Sequence, residues 1–180
     1  MQNSWNQSLN QLLSQQVTEL SRLPRIAVIG VGNPLRCDDA AGILVARVLS
    51  AKGLAAHIAN LFICEAGQAP ENWTGRLREF VPDLILIVDA ADMGKEAGTI
   101  QWIPEECIES MSASTHSLPL SMLARYLTLE LGCKVLFLGI QPASIEIGEM
   151  VSPQVLRAVD ETARGLVESI RGCIASCFPA

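Results

Sequence analysis

The sequence predicts an α/β domain of three layers, with a mostly parallel sheet held between helices. Three observations carry that prediction. Apolar runs without polar alternation recur at Ile26–Ile29 and Leu84–Val88, as strands covered on both faces require. Helix-spaced apolar positions alternate with them, in Leu44, Val45, Val48 and Leu49 and in Val155, Leu156, Val159, Leu166, Val167 and Ile170. A glycine turn, Gly30-Val31-Gly32-Asn33, follows the first run directly, where a strand must give way to a helix.

The elements follow in order. Residues 1–24 are rich in Gln, Asn and Ser, yet Leu9, Leu12, Leu13, Val17 and Leu20 share one helical face, so an amphipathic extension is expected to pack on the domain, with Pro24 ending it. Residues 25–180 then form the domain proper. The helix after the glycine turn runs to about Gly53, with Asp38 or Asp39 as its cap. His57 to Glu65 reads as a second strand, and Pro70 to Pro82 brackets a short helical stretch. Leu84–Val88 is the most hydrophobic run and belongs at the sheet centre, whereas the more polar Thr99–Ile103 belongs near an edge. Ser117 and Pro119 signal a helix start, with His116 immediately ahead and Gly132 as the stop. Val135–Ile140 is the last strand, and Ser152-Pro153 opens the C-terminal helix.

Composition narrows the function classes. A chain of 180 residues with 49% hydrophobic content builds one sizeable core. Thirteen basic against nineteen acidic residues, formal charge -6, leave no basic cluster for nucleic acid or an anionic membrane. The first twenty residues lack a basic segment and a continuous apolar run, so no secretory signal is expected, and no stretch is long enough to span a bilayer. Six scattered cysteines without a Cys-x-x-Cys pair fit reduced thiols in the cytoplasm. Cys173 and Cys177, one helical turn apart, offer half a metal site or simply two small residues of a terminal helix.

Ligands in open α/β folds bind beyond the carboxyl ends of the strands, and right-handed crossovers bring those ends to one side. Asp39, Asp89 and His116 fall at such positions or at helix starts. Two carboxylates and an imidazole suit a divalent ion such as zinc or nickel. A helix N-terminus favours the carboxylate of Asp39 and disfavours an imidazolium at His116, and both effects favour metal binding. Each residue also has a structural reading, Asp38 and Asp39 as caps and Asp89 as a turn former. His57 has no partner in sequence and reads as a core or surface residue. The dinucleotide fingerprint is incomplete, because Leu35 stands where its third glycine belongs, and no P-loop follows. Cys37 with His116 makes a thiol-peptidase pair on paper, without an oxyanion motif to support it.

Four blocks in order, GVGNPLRCDDAAG, LILIVDAADMG, STHSLPL and VLFLGIQP, resemble the nickel-iron hydrogenase maturation endopeptidases, from about Ile26 to Ile170. The likeness is greatest to the branch serving hydrogenases of the formate-hydrogenlyase type. The resemblance implies a twisted five-stranded sheet flanked by helices. It also implies removal of a C-terminal extension from a hydrogenase large-subunit precursor once nickel is inserted. By motif, Asp39, Asp89 and His116 take the metal-ligand positions, Asp38 the neighbouring acidic position, and Gly30, Gly32 and Asn33 the supporting turn; in the mechanism inferred from this, Asp38 is the candidate general base. The nickel is supplied by the substrate, with zinc or cadmium able to substitute. The expected protein is a cytoplasmic monomer whose partner is the precursor. The sequence departs from many relatives in having Ala40 directly after the acidic pair and in its first 24 residues. A zinc-type metallopeptidase with a resident ion, a noncatalytic nickel-sensing or precursor-binding module, and a nucleotide-binding protein remain as alternatives.

Overall fold

The computed structural model describes residues 4–111 and 118–177. Helix α1 (Ser4–Leu20) leads through Pro24 to strand β1 (Ile26–Val31), and a 3-10 turn (Cys37–Ala40) opens helix α2 (Ala41–Ala51). A single turn, α3 (Leu54–His57), precedes β2 (Leu61–Gly67), and a second 3-10 turn (Pro70–Trp73) runs into α4 (Thr74–Phe80). Then come β3 (Leu84–Ala90), β4 (Ile100–Ile103), a short turn and α5 (Ile108–Met111), α6 (Leu120–Leu131), β5 (Lys134–Ile140) and α7 (Pro153–Cys177).

The five strands form one sheet in the order β2-β1-β3-β5-β4. All pairs are parallel except β4 with β5. Strand β3 is central and buried along its whole length, as its apolar run predicts, and β4 is the edge strand.

Side chains alternate across a strand, and here the alternation separates the two outer layers. Ile26, Val28, Leu84, Leu86 and Val88 pack with residues of α1, α2 and α7. Ala27, Ile29, Val31, Ile85 and Ile87 pack with Leu77 of α4 and with Leu120, Leu123 and Leu127 of α6. The parity continues to Asp89, which falls on the α6 side of the sheet.

The first helix is part of the core. Trp5, Leu9 and Leu13 are buried against the layer that holds α7. The Trp5 ring meets Trp102 edge-on at 6.3 Å, and Trp102 donates its indole N–H to the Trp5 carbonyl at 3.0 Å. Gly165 leaves the notch for that ring, since a Cβ there would lie 2.7 Å from it, and Ser169 hydrogen-bonds Asn6 beside it.

Four expectations need correction. The second strand begins at Leu61 rather than His57, because the chain makes a further helical turn after Gly53, and His57 ends that turn. Helix α6 begins at Leu120 rather than at Ser117, because Pro119 holds an extended backbone (φ −53°, ψ 131°) and serves as its cap. Leu156 lies on the outer side of α7, 45% exposed, although it shares a helical stripe with its buried neighbours. Neither Asp38 nor Asp39 caps α2; Ala40 is its cap, with no side-chain hydrogen bond.

Candidate active site

The chain runs from β1 to β2 on one side and onward to β3 on the other, so the carboxyl ends of β1 and β3 flank a topological switch point. That crevice is built by close backbone approach. Gly42 lets α2 sit directly on the sheet: a Cβ on it would lie 2.0 Å from the Val88 carbonyl oxygen and 2.4 Å from that of Val31. Gly32, with φ +133°, turns the chain away from β1 at a place where a side chain has no room. Its Cβ would lie 1.8 Å from the Asp39 carbonyl oxygen and 3.7 Å from Oδ1 of Asp89.

The backbone of Asp39 and the carboxylate of Asp89, 50 positions apart in sequence, therefore lie on either side of one glycine. Asp39 is fully buried in the turn ahead of α2, held by its own N–H to the Arg36 carbonyl at 2.9 Å and by Asn33 N–H to its carbonyl at 3.2 Å. The Asn33 side chain in turn accepts from Leu35 N–H at 2.9 Å, which fixes the loop between strand and turn. Asp89 is buried in the last part of β3 and accepts from Ala90 N–H at 2.9 Å.

Asp38 points elsewhere. Both oxygens of its buried carboxylate are engaged by the segment between β5 and α7: Oδ2 accepts from Ala143 N–H (2.7 Å), Ser144 N–H (3.2 Å) and the Ser152 hydroxyl (2.9 Å), and Oδ1 from Ser152 N–H (2.6 Å). The Ser152 oxygen also accepts from Val155 N–H at 3.4 Å, so Asp38 ties the turn carrying Asp39 to the first turn of α7. The partners lie over a hundred residues downstream, which no local motif discloses.

Gln141, just after β5, organises the opposite wall. Its Oε1 accepts from Met93 N–H (2.7 Å) and Lys95 N–H (3.2 Å), and its Nε2 donates to Asp92 (3.2 Å). These bonds pin the loop that follows Asp89. An open cleft of about 420 Å³ lies alongside, lined by Asp92, Ser110 and the Gln141–Ile145 segment. The GIQP block hinted at Gln141 without disclosing this role.

His116 lies outside the described residues. The chain reaches that segment from Met111, whose carbonyl accepts from Asp92 N–H at 2.7 Å, and re-enters at Leu118, packed on the α6 side of the core.

Cys37 does not fit a thiol nucleophile. It is buried, its thiol donates to the Met150 carbonyl at 3.0 Å, and burial, followed by the nearby Asp38 charge, pushes its pKa up, away from the reactive thiolate. All six cysteines are free. Burial likewise pushes the Cys173 thiol up to about 11, which suits a packed residue of α7. Among the described residues no helix is long and apolar enough to cross a membrane.

Comparison with known proteins places the sequence and the fold in one family. The HycI hydrogenase maturation protease family matches residues 43–169. A Methanocaldococcus jannaschii protein assigned to the hydrogenase maturation proteases is 35% identical over 156 residues, covering 84% of this chain and 92% of that protein. The hydrogenase 3 maturation protease of Escherichia coli K12 is 42% identical over 113 residues, 62% of this chain and 69% of the relative. The crystal structure of a NiFe hydrogenase maturation protease HycI from Thermococcus kodakarensis superimposes with a TM-score of 0.73 at 31% identity, covering 82% of this chain and 93% of that one. The chain belongs to the HycI family of hydrogenase maturation proteases, and its activity is that of an endopeptidase.

Proposed function

We propose that this protein removes the C-terminal extension of a nickel-iron hydrogenase large-subunit precursor after nickel insertion, reading the nickel of that substrate through Asp39, Asp89 and His116. The observation that carries the reading is that the turn bearing Asp39 packs its backbone on Gly32 at the β1/β3 switch point, beside the Asp89 carboxylate. Carboxylate oxygens with an imidazole form a donor set suited to a borderline divalent ion such as nickel. Asp89 shares the α6 side of the sheet, and His116 lies four positions ahead of α6 in sequence, which supports joining the three.

In this reading the two carboxylates and the imidazole hold the metal-bearing end of the precursor, and the adjacent peptide bond is thereby fixed against a polarised water or carbonyl. A precursor without nickel docks unproductively. Asp38 positions the turn that bears Asp39; a general base must reach the proton it removes, and both Asp38 oxygens are occupied by the 143–152 segment. The protein acts as a monomer in the reducing cytoplasm.

The test is C-terminal processing of nickel-loaded and nickel-free precursor by wild type and His116→Ala, read by intact mass. Cleavage confined to the nickel-loaded form, and lost in the variant, is expected. Equal cleavage of both forms would overturn substrate-borne recognition and favour a resident metal. Binding of loaded precursor without cleavage would instead make the chain a noncatalytic sensor.

A further inference from the structure

Leu35, Ile147 and Met150 are among the most exposed large apolar residues of the described chain, at 72%, 77% and 88% exposure. They come from two loops far apart in sequence that the fold clamps together. Gly148 N–H donates to the Leu35 carbonyl at 3.2 Å, Arg36 Nε to the Ile145 carbonyl at 3.2 Å, and the Cys37 thiol to the Met150 carbonyl at 3.0 Å. The four bonds to the Asp38 carboxylate fix the same pair of loops from beneath. The apolar side chains thus stand on a braced frame.

Their place is as informative as their exposure. Leu35 lies in the loop that leads from β1 to Asp39, and Ile147 and Met150 follow β5, so all three rim the carboxyl edge of the sheet where Asp39 and Asp89 lie. The other large apolar residues more than half exposed, Met122 and Leu129 of α6 and Val81 after α4, belong to separate elements. Two exposed acids, Glu146 and Glu149, flank Ile147. Braced apolar side chains with a polar border mark a surface that a protein partner covers.

We propose that Leu35, Ile147 and Met150 form a docking ridge for an apolar segment of the precursor polypeptide, and that a basic side chain beside that segment meets Glu146 and Glu149. This rests on the proposed function and deepens it, because it assigns substrate affinity to a surface separate from the residues that read the nickel. Contact at the ridge is made in the ground state and the transition state alike, so it governs KM and leaves kcat untouched.

The experiment measures steady-state processing of nickel-loaded precursor by the full chain and by a triple variant, Leu35→Ser, Ile147→Ser and Met150→Ser. Partial burial of three such side chains predicts a KM raised about tenfold or more, with kcat within about twofold. Glu146→Lys is expected to raise KM about threefold by placing like charge against the basic flank. Leu129→Ser, remote from the rim, leaves both constants unchanged. An unchanged KM in the triple variant, or a fall in kcat alone, would overturn the ridge. Loss of a concentration-dependent dimer in the triple variant with KM unmoved would assign the surface to a second copy of this chain and overturn it equally. Should the triple variant fail to fold, Ile147→Ser alone is expected to raise KM about twofold, and no change would count against the ridge. If wild type cleaves no precursor, the proposed function fails separately. Titration of the labelled precursor then decides the ridge: binding about tenfold weaker in the triple variant supports it, and equal binding refutes it.

Discussion

Replacing Asp38 tests whether the site is held from behind by its buried network. In Asp38→Asn one oxygen becomes an NH2 group, and either orientation of the amide sets that group against a donor. The cheaper orientation keeps the oxygen at the Oδ2 position, with its three donors, and turns the NH2 toward Ser152 N–H, now 2.6 Å from Oδ1. One donor–donor contact and the loss of a charged acceptor cost about 2–3 kcal/mol. Asp38→Ala strands all four donors; Ala143 is exposed and Ser152 half-buried, so water recovers part, and about 3–5 kcal/mol is expected. Urea denaturation reads both values as a lowered midpoint at constant slope. Processing should fall further than stability explains, because the turn carrying Asp39 loses its anchor on α7. A cost below about 0.5 kcal/mol for Asp38→Asn would refute the network as a holding device.

Other perturbations read other parts of the account. Gly42→Ala drives a Cβ into the Val88 and Val31 carbonyls and is expected to cost about 3 kcal/mol, whereas Gly75→Ala in α4, with nothing within 4 Å, should stabilise by about 0.5 kcal/mol; paired thermal melts check the opposite signs. Trp5→Ala should cost about 3–5 kcal/mol in denaturant titrations, a core-sized loss that an appended helix would not show. Burial raises the Asp83 carboxyl, but hydrogen bonds from Arg22 (2.7 and 2.8 Å) and Arg25 N–H (2.6 Å) outweigh it and hold the pKa below the usual carboxylate range. Such a group stabilises above its unfolded pKa and ceases to do so as pH falls through the lower folded one. Arg22→Ala should therefore cost about 0.5–1 kcal/mol near pH 7, Arg22 being half-exposed, with the difference shrinking below about pH 4; a constant difference would contradict it.

The sequence disclosed most where the physics is local. Leu84–Val88 can be buried on both faces only in the middle of a sheet, and Asp89, directly after it, had to sit at the ligand-bearing edge. Gly42 and Gly32 lie in a motif that marks a turn, although what each must clear, a strand carbonyl or the Asp39 backbone, appears only when α2 is laid on β1 and β3. Non-local features were hidden. Asp38 looked like a cap or a base because its partners, Ala143, Ser144 and Ser152, lie across the whole domain. The start of α6 is not legible in the sequence because Pro119 suits either a first helical position or an extended cap, and the packing of Leu118 and Leu120 decides between them. The one-sided pattern of the first helix shows that it packs on the domain, but not that Trp5 finds a notch at Gly165.

X-ray absorption at the nickel edge of the loaded precursor tests most directly whether Asp39 and Asp89 take hold of nickel carried by the substrate. Spectra are compared for the precursor alone, with wild type, and with the double variant Asp39→Ala, Asp89→Ala. New oxygen or nitrogen scattering at about 2.0–2.1 Å with wild type, absent with the double variant, is the predicted result. An unchanged nickel spectrum in a wild-type complex shown by sedimentation to be formed would contradict the claim.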